Sequence, residues 1–96
     1  MKCILSILLI ALTSSFTQFA DIEKGKQIFS KRCSPCHGDD GTRGKFGAKN
    51  LQVSRLSDAE MLITISEGKK VMPSWKKRLS DSDIYLVKEY IKTLRK

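Results

Sequence analysis

Apolar residues recur at helical spacing in three stretches of the chain, and two loops rich in glycine, lysine and proline separate them. Ile22, Gly25, Ile28 and Phe29 follow the helical period closely, with Asp21 placed to cap a first helix. Ser34-Pro35 ends that helix, because proline cannot continue the hydrogen-bond ladder. Ser57-Asp58-Ala59-Glu60 has the spacing of a capping box, with Leu56 and Met61 as its hydrophobic staple. The helix that follows turns Met61, Leu62 and Ile65 inward and stops at Gly68. Ser80 caps a last helix, with Asp83 at its third position and Leu79 and Ile84 as staple. Ile84, Val87, Ile91 and Leu94 then form one apolar stripe, and Lys92, Arg95 and Lys96 suit the negative end of the helix dipole. Gly38 to Gly47, with four glycines, is a loop, and Lys69 to Arg78, with Met72-Pro73, is a second. No strand-length segment alternates apolar with polar residues, so the pattern predicts an all-α fold of three to four helices.

The first twenty residues follow a different pattern. Lys2 precedes an almost wholly apolar run from Ile4 to Leu12, and a polar Thr13-Ser14-Ser15 follows. The run is about half as long as a membrane-spanning helix, which needs about 20 residues. A charged start, a short apolar core and Ala20 at the end read as a secretory signal peptide, residues 1–20, cleaved from a domain at 21–96. Gln18, where a small residue is usual, leaves an uncleaved membrane anchor as the alternative. Cys3 lies ahead of the apolar core and would leave with the leader. Export to the periplasm is therefore expected, and with it a compartment that permits oxidative thiol chemistry.

A chain of 96 residues holds one small domain, and a core of that size is marginal without a disulfide, metal or cofactor to reinforce it. Cys33-Ser34-Pro35-Cys36-His37 supplies the candidate. The spacing C-x-x-C-H reads as a covalent attachment site for haem c, one per chain. Two thiols three positions apart reach the two vinyl groups of a porphyrin, and the adjacent imidazole can bind the iron. A thioredoxin-like pair would need a βαβ pattern that the chain lacks. A structural zinc site would need four ligands, where Cys33, Cys36 and His37 give three. A plain disulfide would leave His37 without a role. Gly44-Lys45 lacks the flanking residues of a phosphate loop.

At these residues the chain resembles the small monohaem class I cytochromes c of bacteria. The resemblance runs through Gly25 to Phe29, Cys33 to Gly38, Asn50-Leu51, Met72-Pro73 with Trp75, and the last helix with Tyr90. It implies a cytochrome c-like bundle wrapped around the haem, with Gly25 and Phe29 of the first helix meeting Val87 and Tyr90 of the last. In that family a proline often stands two residues before the position of Leu51, and its carbonyl orients the haem-binding histidine. Lys49 stands there in this chain, which leaves the partner of His37 open.

The sixth iron ligand can be argued from the residues as well. His37 is the one histidine, which excludes bis-histidine ligation within a monomer. A methionine thioether is the next common axial ligand and raises the reduction potential. Met61 sits on an inward helical stripe and reads as core, whereas Met72 sits in a loop beside a proline, at the family's ligand position. The cofactor-binding set is thus Cys33, Cys36, His37 and Met72, with His37 and Met72 on the metal. Trp75 is expected as a wall of the haem pocket and Phe46 as a cover of its edge, while Tyr85 and Tyr90 have no chemical role.

Iron with both axial positions filled suits outer-sphere electron transfer and leaves no site for catalysis. The expected function is a one-electron carrier and not an enzyme. The alternative is a sensor or peroxidase-like haem protein with an open sixth position. Eighteen Lys plus Arg against ten Asp plus Glu give a net charge of +8. Lys31-Arg32, Lys45, Lys49, Lys69-Lys70 and Lys76-Lys77-Arg78 flank the haem-binding segments. They would steer a monomer toward acidic docking surfaces on redox partner proteins, such as membrane complexes, an oxidase or a reductase. Weak association with an anionic membrane surface fits the same charge. Nucleic acid does not, in an exported protein without interleaved aromatics.

Overall fold

In a computed structural model of the chain, the backbone is described for residues 2–96 and the side chains for residues 17–96. The apolar core of the expected signal peptide lies outside the residues whose side chains are described. Four α-helices follow in order: α1 (Lys2–Arg32), α2 (Ser34–His37), α3 (Asp58–Glu67) and α4 (Asp81–Thr93). A single 3-10 turn, Lys45–Gly47, interrupts the first long loop. The described residues contain no strand, only an isolated bridge between Lys69 and Met72, so the fold is all-α as expected.

In the full chain, with residues 1–20 attached, Asp21 does not cap the first helix. α1 runs through it without a break, and Asp21 is an interior position. Between Thr13 and Lys24 there is no glycine or proline to stop the helix, and a cap acts only where a helix begins. Pro35 ends α1 less abruptly than expected. Cys33 forms a one-residue turn, and the proline then occupies the first turn of α2, where its missing N–H has no partner to lose.

The capping box on α3 is complete. The Glu60 amide donates to Ser57 Oγ at 3.1 Å, and the Ser57 amide donates to Glu60 Oε1 at 3.0 Å. On α4 only half of the motif forms: the Asp83 amide donates to Ser80 Oγ at 3.0 Å. Asp83 is one methylene shorter than the glutamate of a full box, and its carboxylate lies 3.8 Å from Lys24 Nζ on α1.

The core lies where α1 packs on α4 and α3 closes over the same face. Phe29, Ile84 and Val87 are fully buried, and each contributes about 1.5–3 kcal/mol of burial relative to an exposed side chain. Gly25 sits directly against the α4 backbone, where an added Cβ would collide with the Leu86 carbonyl. Phe29 and Tyr90 complete the crossing with ring centroids 5.3 Å apart and planes tilted by 52°. The residues expected at this contact are those that meet there.

Lys88 is a departure from the stripe, since it is buried on α4. Its ammonium lies 3.1 Å from Asp58 Oδ2 at the start of α3 and 3.3 Å from Glu89 Oε2. Lys92 joins Asp58 at 3.0 Å. Burial works against the Lys88 charge, but hydrogen bonds to Asp58 and Glu89 outweigh it and hold its pKa above the ordinary lysine value.

Candidate functional site

Beside this core is a cavity of about 410 Å³, lined mainly by apolar side chains. The dense packing usual in protein interiors leaves few spaces of this size, which makes it the candidate binding site. Cys33, Cys36 and His37 reach it from the α1–α2 junction, Met61 and Ile65 from α3, and Met72 from the second loop.

The turn at Cys33 explains how one short segment presents three reactive groups. The amides of Cys36 and His37 both donate to the Cys33 carbonyl, at 3.2 and 3.0 Å, which winds the two thiols and the imidazole into one helical turn. Cys33 and Cys36 are not joined to each other by a disulfide. Burial, and then the neighbouring Cys36, push the Cys33 thiol up to about 12. Disulfide exchange depends on a depressed thiol pKa, and this shift runs the other way.

His37 Nδ1 lies 3.0 Å from the carbonyl oxygen of Lys49. An Nδ1–H donated there fixes the ring and leaves Nε2 to face a metal. The proline of the resembled family is therefore dispensable for this contact, because every residue has a backbone carbonyl. The loop folds back to deliver it: the Arg43 amide donates to the His37 carbonyl at 2.7 Å, and the Leu51 amide to the Gly41 carbonyl at 2.9 Å. Arg43 Nη1 adds a bond to the Pro35 carbonyl at 3.1 Å.

Met72 is held by a two-residue hairpin. The Lys69 amide donates to the Met72 carbonyl at 3.1 Å and the Met72 amide to the Lys69 carbonyl at 3.0 Å, around Lys70-Val71. Lys70 takes a left-handed φ of 55° in that turn. Gly68 is required just before it, with φ at 75° and space for an added Cβ closed by the Met72 carbonyl and Pro73. Trp75 is buried in the cavity wall, as expected, with the guanidinium groups of Arg32 and Arg78 at 5.9 and 5.5 Å from its ring.

Phe46 stands at the cavity with 68% of its surface exposed and a left-handed φ of 56°, a conformation that costs about 1–3 kcal/mol in a non-glycine residue. Val71 is equally exposed on the other loop. Around them Arg32, Lys45, Lys49, Lys69 and Lys70 line the cavity, and among the described residues no carboxylate does. Lys76, expected in the same group, pairs with Glu67 at 2.9 Å instead. Lys88, the Lys49 carbonyl and Arg95, whose Nη2 donates to Met61 Sδ at 3.2 Å, carry no local sequence signal for the places they take.

The residues fit a haem: two thiols and an imidazole converge on an apolar space, and the orientation of the imidazole is already set. The family described as cytochrome C oxidase, cbb3-type, subunit III matches residues 20–91. The chain is 38% identical over 80 residues to the cbb3-type cytochrome c oxidase subunit FixP of Bradyrhizobium diazoefficiens, covering 77% of this chain and 28% of that protein. It is 38% identical over 78 residues to the cytochrome c6 of Gracilaria tenuistipitata var. liui, covering 75% of this chain and 71% of that one. It is also 38% identical over 78 residues to the cytochrome c6 of Bumilleriopsis filiformis, of which it covers 90%. The chain thus spans less than a third of the FixP subunit but most of the two cytochromes c6.

Proposed function

The chain belongs to the cytochrome C oxidase, cbb3-type, subunit III family, as a monohaem cytochrome c that carries electrons on covalent haem c, and on that premise we propose how its residues serve that role. Cys33 and Cys36 would hold the haem covalently through their two sulfurs. His37 and Met72 would bind its iron. The observation that carries this reading is the His37 Nδ1 contact to the Lys49 carbonyl at 3.0 Å, made at a cavity that both cysteines and Met72 line.

When bound, the haem supplies an iron that takes up and releases one electron without making or breaking a bond. The chain's residues set the terms of that exchange. A neutral, soft Met72 sulfur adds no charge to stabilise ferric iron and so favours the reduced state. Trp75 and the α3 side chains keep water from the ring. The five cations at the cavity steer docking, and exposed Phe46 and Val71 at the same cavity give a partner apolar contacts. The partner is a redox protein with an acidic docking surface, of the kind a membrane oxidase complex presents, and the contact is weak and salt-sensitive. The domain itself has no catalytic role. Residues 1–20 act as the export leader, which places residues 21–96 in the periplasm.

Spectra of the purified holoprotein test the ligand set. A covalent c-type spectrum that is unchanged by carbon monoxide and shows the weak ferric sulfur-to-iron band is expected. Met72→Ala should abolish that band, lower the reduction potential and open the iron to carbon monoxide. Rapid carbon monoxide binding by the unaltered protein would overturn Met72 as ligand and favour a sensor or peroxidase-like role.

A further inference from the structure

Phe46 lines the cavity, yet its ring is largely exposed and its backbone is left-handed. The turn that carries it, Lys45–Gly47, is closed by two backbone bonds. The Gly47 amide donates to the Gly44 carbonyl at 3.3 Å, and the Ala48 amide to the Lys45 carbonyl at 3.1 Å. Gly44 and Gly47, on either side of the ring, have left-handed φ values of 69° and 81°. An added Cβ on Gly44 would meet only the Ala48 carbonyl oxygen, at 3.7 Å, and one on Gly47 would meet nothing within 4 Å. Gly25 and Gly68 are packed against backbone, so these two glycines differ from them: they supply freedom of the chain and not room for a neighbour. Just outside them the loop is pinned to one residue at both ends. The Arg43 amide donates to the His37 carbonyl at 2.7 Å, and the Lys49 carbonyl lies 3.0 Å from His37 Nδ1.

We propose that residues 44–48 form a lid that turns the Phe46 ring from its exposed position onto the bound haem. The exposed position offers the ring to a docking partner, and the covering position keeps water from the haem when no partner is bound. Turning in breaks the two backbone bonds of the turn, at a net cost kept small because water can reach this largely exposed segment. It releases the left-handed strain at Phe46 and buries a large apolar ring. The contacts that orient His37 are undisturbed, since they lie at Arg43 and Lys49, outside the moving segment. The proposal rests on the reading of the cavity as the haem site, and it is indifferent to which group holds the sixth position on the iron.

The test is NMR of the free holoprotein with ring-labelled phenylalanine, the Phe46 signal being the one lost in Phe46→Leu. The porphyrin ring current should displace the Phe46 ring protons from the position of an exposed phenylalanine. Amide exchange gives a second reading. Phe46→Ala keeps a left-handed non-glycine residue in the turn but removes the ring whose burial draws the lid in. The Gly47 and Ala48 amides should then exchange about tenfold or more slowly than in the unaltered holoprotein, the scale of burying one large apolar side chain. Phe46 ring protons at the exposed position would overturn the lid, and so would exchange at Gly47 and Ala48 that Phe46→Ala leaves unchanged. A purified protein without a covalent haem spectrum would refute the haem reading itself, and the lid with it, before either measurement is made.

Discussion

The α1–α4 crossing and the cavity beside it are neighbours built on different principles. At the crossing the chain closes on itself: Gly25 lets the helix backbones touch, and Phe29 and Val87 retain 1% and 0% of their exposure. At the cavity the chain surrounds a space it does not fill. Two of its walls are loops held by backbone bonds and left-handed turns, and two of its apolar residues, Phe46 and Val71, are largely exposed. The crossing derives its stability from burial among its own side chains. The cavity side depends on the haem for that burial, which makes the cofactor part of the core as well as the seat of function.

Removing the attachment site separates the two regions most strongly. With Cys33→Ser and Cys36→Ser together, no haem should remain bound covalently after denaturation, as read by the haem absorbance of the unfolded chain. Amide exchange should then show residues 38–56 and 68–79 losing protection almost completely, while α1 and α4 retain the slowest amides. Equal loss in both regions would mean that the crossing, too, depends on the haem.

Damage to the crossing should be smaller and should spare the iron. Gly25→Ala places a Cβ against the Leu86 carbonyl, and the helices must separate to accommodate it. A loss of roughly 1–3 kcal/mol is expected from such overpacking, measured by denaturant unfolding of the holoprotein. The visible spectrum should not change, since Gly25 does not line the cavity. Ser57→Ala removes one bond of the α3 capping box and should cost about 1 kcal/mol in the same assay.

How legible each region was in the sequence follows the same division. Cys33 to His37, the Ser57–Glu60 box and the Ile84–Ile91 stripe are signals confined to one or two helical turns, and all of them were readable. The residues that join one segment to another were not. Arg95 meets Met61 across 34 positions, and Lys88 meets Asp58 across 30, so only the fold brings them together. In the sequence Lys49 stands out only as the residue in the proline's place, although the group that meets His37 is a carbonyl that no side chain encodes. Asp21 has the local chemistry of a cap, but whether a helix starts there depends on the residues before it, and in the full chain α1 runs through it.

The smallest effect concerns the Asp58–Lys88–Lys92 cluster, which links α3 to α4 and touches neither the crossing nor the cavity directly. Hydrogen bonds from Lys92 and then Lys88 hold the Asp58 carboxyl below the ordinary carboxylate value. Its contribution to stability is therefore complete above the unfolded carboxylate pKa of about 3.9 and disappears as pH falls through the lowered value. For Lys88 and Lys92 the sign reverses. Both pKa values are raised, Lys92 chiefly by its bond to Asp58, so their contribution is complete below the unfolded lysine value of about 10.4 and disappears as pH rises through the folded one. Holoprotein melting temperature should accordingly be flat across neutral pH and fall at both extremes. Asp58→Asn should lower the neutral plateau slightly and flatten the acid limb, because the group that titrates there has gone. Asp58 is about half exposed and screened by solvent, so the drop should be smaller than that of Ser57→Ala. A larger drop would mean that buried Lys88 cannot be satisfied by Glu89 alone, and that the α3–α4 link supports the crossing after all.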